Sequence, residues 1–240
     1  MNRFIGLFLS LCLLFGFQSC NRDTPVKVLL ITGGHDYDKE NFEVLLGKLP
    51  IVYDHVEHPD AYAMLKADKI KDYELVLLYD MPREIPEEAR QDFIAMLEKG
   101  KGLVVLHHAI CSDDFWDEYL QIVGGRFHHY PWMKDGVEQA PSTFKHNVTL
   151  QICVEDENHP VTKGLSDFEI IDEAYGGIEI LPTAHPLLSA NTNLYAPLVC
   201  WTNNYGNSRV VALILGHDKE AWENPAFIQT LSQAIEWAKK

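Results

Sequence analysis

The chain has 240 residues, with 35 acidic against 20 basic side chains and a formal net charge of −15. Such a field repels phosphate backbones and anionic lipid surfaces, which argues against nucleic-acid binding and electrostatic adsorption to membranes. A neutral or cationic small molecule suits it better, and a plain solvated surface is the simpler account of the charge. Five cysteines without a Cys-X-X-Cys pair give no thiol-rich zinc site or redox motif; Cys111, Cys153 and Cys200 are expected as buried free thiols, with one disulfide between two of them in an oxidising compartment as the alternative.

The first element is a leader. Met1–Arg3 is a short positive start, Ile5 to Phe17 is almost wholly apolar, and Phe17-Gln18-Ser19-Cys20 sets a small residue before a cysteine. This is the plan of a secretory signal, and the apolar run is short for a membrane span of ~20 residues. Its end resembles a bacterial lipobox, with Phe17 where leucine is usual. That resemblance implies a lipoprotein signal peptide over residues 1–19, lipidation of Cys20, a short tether within residues 20–25 and one domain over residues 26–240. An ordinary cleaved signal peptide and an uncleaved anchor are the alternatives. Asn21 to Pro25 spans at most ~18 Å. The domain is thus expected to be exported and held close to the cell envelope, touching membrane through the lipid anchor only.

Val26 to Thr32 reads as a buried strand ending at Gly33-Gly34. A helix is expected over Asn41–Leu49, then strands over Ile51–His55 and Glu74–Asp80. Pro86, Glu87 and Glu88 open a helix that Gly100 ends, with Ala89, Phe93, Met96 and Leu97 on one face. Gly102–Leu106 is a continuous apolar strand, and Asp113–Val123 reads as helical. Phe127–Thr143 has no clear period. Phe144–Val154 and Phe168–Ile180 read as extended, Leu198–Trp201 and Arg209–Leu215 as strands about an Asn-rich turn, and Asn224-Pro225 opens a final helix. Apolar strands alternating with helices predict an α/β domain whose mostly parallel sheet is covered on both faces.

In open α/β sheets, ligands bind outside the carboxyl ends of the strands. The strand exits here carry Gly33-Gly34-His35-Asp36-Tyr37, Asp80, His107-His108 and Gly216-His217-Asp218. Three of the four bear histidine, although histidine is only 11 of 240 residues. Exits of parallel strands share one sheet edge, so these groups are expected in one crevice. Imidazoles there serve as acid or base near neutral pH, or with a carboxylate bind zinc or a similar ion. A strand-end histidine also serves as a helix cap or a satisfied polar group. Strand alternation predicts that His107 or His108 points away. Asp172-Glu173-Ala174-Tyr175 offers a carboxylate or is an exposed hairpin end, and His128-His129-Tyr130-Pro131-Trp132 offers a sugar-stacking wall or a satellite core. His159-Pro160 and His185-Pro186 read as turns.

Several segments belong to one pattern: Gly33-Gly34-His35, Gly100 to His108, Gly124-Gly125-Arg126-Phe127, His159 to Leu165, Asp172 to Tyr175, and Arg209 to Asp218 with Trp222, Pro225 and Phe227. In this order, from about Val26 to Ala238, they resemble the ThuA-like (trehalose utilisation) family. The resemblance implies a flavodoxin-like, class I glutamine amidotransferase-like three-layer sandwich. In those amidotransferases the strand after Gly-Lys leads to an elbow bearing a nucleophilic cysteine. The elbow position here is His107, Cys111 lies four residues on and does not replace it, and the partner histidine corresponds to His217. Glutamine hydrolysis through an acyl-thioester is therefore not expected.

The resemblance further implies sugar catabolism around trehalose-like disaccharides, with a link to 3-keto-glycosides made by a separate sugar dehydrogenase. It implies a divalent metal, zinc first, on His35, His107, Glu173 and His217, and no nucleotide cofactor. The doubled His107-His108 and the long Phe127–Thr143 segment depart from the pattern. The resulting expectation is metal-assisted acid–base cleavage of glycosides, with His107, His217 and Glu173 catalytic and Asp36, Tyr37, His108, His129, Trp132 and Tyr175 binding substrate. Two alternatives are a non-catalytic carbohydrate-binding lipoprotein anchored on Tyr130 and Trp132, and a two-carboxylate hydrolase drawing on Asp36, Asp80 and Glu173.

Overall fold

The computed structural model describes residues 24–192 and 194–239. The leader and the lipidation position Cys20 lie outside the described residues. Among the described residues no helix is long and apolar enough to cross a membrane.

The first half alternates as expected: β1 (Val26–Gly33), α1 (Lys39–Leu46), β2 (Ile51–Glu57), a 3-10 turn (Asp60–Met64), α2 (Ala67–Ile70), β3 (Leu75–Asp80), α3 (Glu87–Glu98), β4 (Gly102–Leu106), a second 3-10 turn (His107–Cys111) and α4 (Asp117–Val123). The second half is rich in strand: β5 (Gly125–Arg126), β6 (Trp132–Lys134), β7 (Val137–Gln139), β8 (Thr143–Val154), β9 (Phe168–Gly176), β10 (Glu179–Ile180), β11 (His185–Ala190), β12 (Leu198–Tyr205) and β13 (Ser208–Leu213). Helices α5 (Lys219–Trp222) and α6 (Pro225–Ala238) close the chain.

Nine strands form one sheet in the order β2-β1-β3-β4-β13-β12-β11-β8-β9. The first five are parallel, and each later neighbour pairs antiparallel. The parallel half has the flavodoxin-like order, and the fold is α/β as the sequence implied. The composition of the strands follows from this division. All residues of β3 and β4 are buried, as parallel strands covered on both faces must be, whereas β8 is largely exposed over its first half.

Local chemistry sets the helix boundaries. The Asp38 side chain accepts the Asn41 N–H ahead of α1, and Asn224 Oδ1 accepts the N–H groups of Ala226 and Phe227 ahead of α6. Helix α6 then buries Phe227, Leu231, Ala234, Ile235 and Ala238. Gly102 lets it seat: a Cβ there would stand 2.4 Å from the Ala238 carbonyl oxygen.

Three elements differ from the sequence expectation. The helix over Asp113–Val123 starts only at Asp117, because Asp113 is drawn into a turn. Its Oδ2 accepts from Ile85 N and Arg90, and its Oδ1 from Phe115 N. His185-Pro186 opens strand β11 rather than a turn, and the proline is accommodated by a register shift against β12. The irregular segment holds the β6–β7 hairpin, turned by Asp135 and Gly136, both at positive φ.

Candidate metal centre

The exits of β1, β3, β4 and β13 do share one sheet edge. Between β1 and β3 the chain passes very close: a Cβ at Gly34, which has φ +85°, would lie 2.3 Å from the Met81 carbonyl oxygen. His107 follows β4 directly and sits at φ +47°, an elbow conformation uncommon for a residue with a Cβ. The strand ends at Leu106, so the alternation expected to separate His107 and His108 does not apply. Both rings enter the site, with centroids 4.3 Å apart.

His107 is wholly buried and tightly oriented. Its Nδ1 lies 2.7 Å from the Ile214 carbonyl and donates there, which leaves Nε2 as the free lone pair. That Nε2 is 3.0 Å from Glu173 Oε2 and 3.0 Å from the Tyr175 hydroxyl. With Nδ1–H spent on a carbonyl, the contact between a lone pair and a carboxylate requires a proton or a cation between them.

Glu173 arrives from β9, the sheet-edge strand. Asp172 ties that strand back to the parallel half: its carboxylate accepts the backbone N–H of Gly216 at 2.6 Å, of His217 at 2.9 Å and of Glu173 at 2.8 Å. Burial raises the Asp172 pKa, against the lowering effect of the His107 charge and these amides. For Glu173, burial is also the largest influence and acts upward. The His107 hydrogen bond and the charges of His107, His217 and His146 outweigh it, so its pKa lies below the ordinary carboxylate value. His108 is pushed far below the ordinary imidazole value by burial and by the neighbouring imidazoles, and its Nδ1 is buried without a partner.

His107, His108, Glu173 and His217 each offer a ligand atom, and these atoms all lie within 4.8 Å of one another. Three imidazoles and a carboxylate, one imidazole locked by a backbone carbonyl and another carrying an orphaned nitrogen, fit zinc or a similar divalent ion.

His35 does not join this set. Its Nε2 and Nδ1 face the carbonyls of Tyr79 (3.2 Å) and Asp36 (3.1 Å), and its ring packs on His108 at 4.1 Å. The ligand position expected of His35 is taken by His108. Of the residues expected to bind substrate, His108, His129 and Tyr175 line a cavity of about 320 Å³ with Glu173 and His217. Asp36 and Tyr37 lie outside its lining, with Tyr37 packed on Phe42 and Tyr79. Trp132 belongs to a different cavity. Asp80 pairs with His58 at 2.6 Å and does not line the histidine cavity.

The sequence reading missed His146, Arg83 and Phe144, which line the cavity together with Phe127. His146 owes its place to a β-bulge. Lys145 pairs with Ala174 and Val148 with Asp172, so His146 and Asn147 stand opposite Glu173 alone. Asn147 takes φ +56°, and the bulge brings His146 Nδ1 to 3.2 Å from Glu173 Oε1. An asparagine inside an extended run was the available signal.

The family model for trehalose utilisation, ThuA, matches residues 27–238. The chain belongs to the ThuA family. A search of the curated proteins found no match. Among solved structures, this ThuA-family domain is similar to a ThuA-like protein of Parabacteroides merdae (24% identity, TM-score 0.74, covering 89% of this chain and 90% of that one). It is also similar to one of Bacteroides uniformis (20% identity, TM-score 0.71, covering 93% and 95%). Both likenesses bear on the fold, and membership of the family supports a role in sugar catabolism.

Proposed function

We propose that this ThuA-family protein is an enzyme of glycoside breakdown that uses a divalent cation and histidine acid–base chemistry on glycosides carrying a 3-keto group. The observation that carries this reading is the convergence of His107, His108, Glu173 and His217 on one point, with the last three lining a sugar-sized cavity and His107 buried behind them.

The division of labour follows exposure. His107, Glu173 and His108, with side chains 0%, 4% and 14% exposed, would hold the cation. A cation there supplies Lewis-acid polarisation of a carbonyl oxygen. His217, at 24%, is the more open imidazole and is placed to take the C2 proton that a neighbouring ketone acidifies. The electron pair left on C2 forms a C1=C2 double bond as the C1 glycosidic oxygen leaves, and that oxygen takes its proton from the half-exposed His146. Phe127, Phe144 and Tyr175 give the cavity an aromatic wall. The ordinary two-carboxylate hydrolase is disfavoured, because Glu173 is the one carboxylate among the described residues lining the cavity.

The experiment measures zinc, manganese and iron content together with cleavage of a 3-keto aryl glycoside, in wild type, H107A and H217A. Stoichiometric metal in wild type, loss of metal and turnover in H107A, and retained metal with lost turnover in H217A are expected. Folded H107A and H217A variants that both keep full turnover would sink the reading.

The same reading places the protein at the cell envelope, anchored through Cys20 and supplied by a sugar dehydrogenase. Radiolabelled palmitate incorporation that is lost in C20S tests the anchor, and an unlabelled wild type refutes it.

A further inference from the structure

A second cavity of about 320 Å³ lies beside the histidine centre. The chain at Phe127–His129 separates the two. Phe127 and His129 line the histidine cavity, and His128 between them lines the other. Asp114 lines the second cavity while its carboxylate holds His129 at 2.6 Å.

Its wall is aromatic and fixed. Trp132 stacks on His128 with ring centroids 4.2 Å apart and planes 7° from parallel, and His128 is pinned by Glu179 at 2.8 Å. Tyr130 and Phe115 stand beside each other at 5.9 Å and are 59% and 73% exposed, unusual for a surface without an apolar partner. Trp132 Nε1 is a buried donor with no protein acceptor. The charged groups are Asp114, Asp117 and Glu179 against Arg126, and the Arg126 terminal nitrogens are already taken up by the Asp114 and Trp116 carbonyls and by Asp117. The site therefore disfavours phosphate.

We propose that this cavity is a second binding site, for a neutral saccharide unit. The apolar C–H face of a pyranose suits the flat faces of exposed aromatic rings. Carboxylates such as Asp114 and Glu179 accept from sugar hydroxyls, and the net negative wall selects neutral over phosphorylated sugars. Only the ligand class rests on the sugar reading above; no group of the histidine centre is used. Its occupant is either the far unit of a disaccharide or an independent monosaccharide.

The test follows the Trp132 indole N–H resonance of the full chain by NMR, assigned through its loss in W132F. The probes are trehalose, methyl α-glucopyranoside and glucose 6-phosphate. A saturable shift with trehalose or the methyl glucoside, but not with the phosphate, is expected. Trehalose alone acting identifies the far unit of a disaccharide, and both sugars acting identify a free monosaccharide site. Y130A and E179Q should each weaken binding by about tenfold, and the shift should persist in the H107A/H217A double variant. An unmoved Trp132 resonance with both neutral sugars overturns the proposal, even where wild type still turns over the 3-keto glycoside. An equal response to glucose 6-phosphate overturns the assignment of a neutral ligand. A Trp132 shift in a protein whose turnover survives loss of His107 and His217 supports this site while refuting the proposed chemistry.

Discussion

The carboxylate of Asp172 holds the backbone N–H of His217 at 2.9 Å, joining the edge strand that carries Glu173 to the loop that carries His217. With Gly216 bonded to its other oxygen, Asp172 fixes both neighbours of the cluster without entering the cavity.

Asp172→Asn is therefore expected to separate stability from direct ligation. An amide nitrogen would face one of the donors that now meets an oxygen, leaving a buried clash of like dipoles. A loss of about 2–4 kcal/mol is expected in urea unfolding. Zinc affinity should fall about 10–100-fold although the ligand side chains themselves are unchanged. Wild-type zinc affinity in the folded variant would contradict the positioning role.

The backbone at His107 makes a second prediction. At φ +47° asparagine is tolerated well and a β-branched residue badly. H107N should fold with a modest stability loss and bind no metal. H107V should lose about 1–3 kcal/mol more than H107N, since the elbow strain adds to the lost ring. Equal melting temperatures for the two would show that the elbow is not enforced.

Much of this site was legible in the sequence, and its limits are instructive. Apolar runs of strand length placed the exits of β1, β4 and β13 at one edge, and hence His107 and His217 together. The inward turn of both His107 and His108 was not legible, because alternation holds only while the strand lasts and the elbow ends it at Leu106. His146 was hidden by a bulge, which shifts the side-chain period by one residue and leaves no apolar mark. His35 was placed correctly at the edge, but its ring direction is set by two backbone carbonyls that only the folded chain brings near. The pairing of β8, β9 and β11 involves distant segments with weak alternation, so the antiparallel half could not be ordered from pattern alone.

A pH prediction comes from Asp114. Burial raises its pKa, but the side-chain and backbone hydrogen bonds from His129 outweigh this, so the folded value lies below the ordinary 3.8. A carboxyl depressed on folding contributes stability that is present above its unfolded pKa and lost as pH falls through the folded one. The stability difference between wild type and D114N should thus be fully present at about pH 5 and shrink below about 4. Urea titrations at three pH values check this. A difference that grows as pH falls below about 4 would reverse the sign and reject the His129–Asp114 pairing as its source.

Cys111 decides whether the amidotransferase elbow survives in disguise. It lies in the same 3-10 turn as His107 and lines the cavity, so position alone does not exclude it as a nucleophile. Its environment does. Burial pushes the thiol pKa well up, and the Tyr175 hydrogen bond offsets only part of this. A buried neutral thiol is a poor nucleophile. C111A is expected to keep turnover of the 3-keto aryl glycoside within about twofold, where loss of an attacking group would cost about a thousandfold or more. Iodoacetamide should modify Cys111 in the native protein far more slowly than after unfolding, as followed by peptide mass. Rapid native alkylation together with collapse of turnover in C111A would move the reacting centre from His107 to the sulfur.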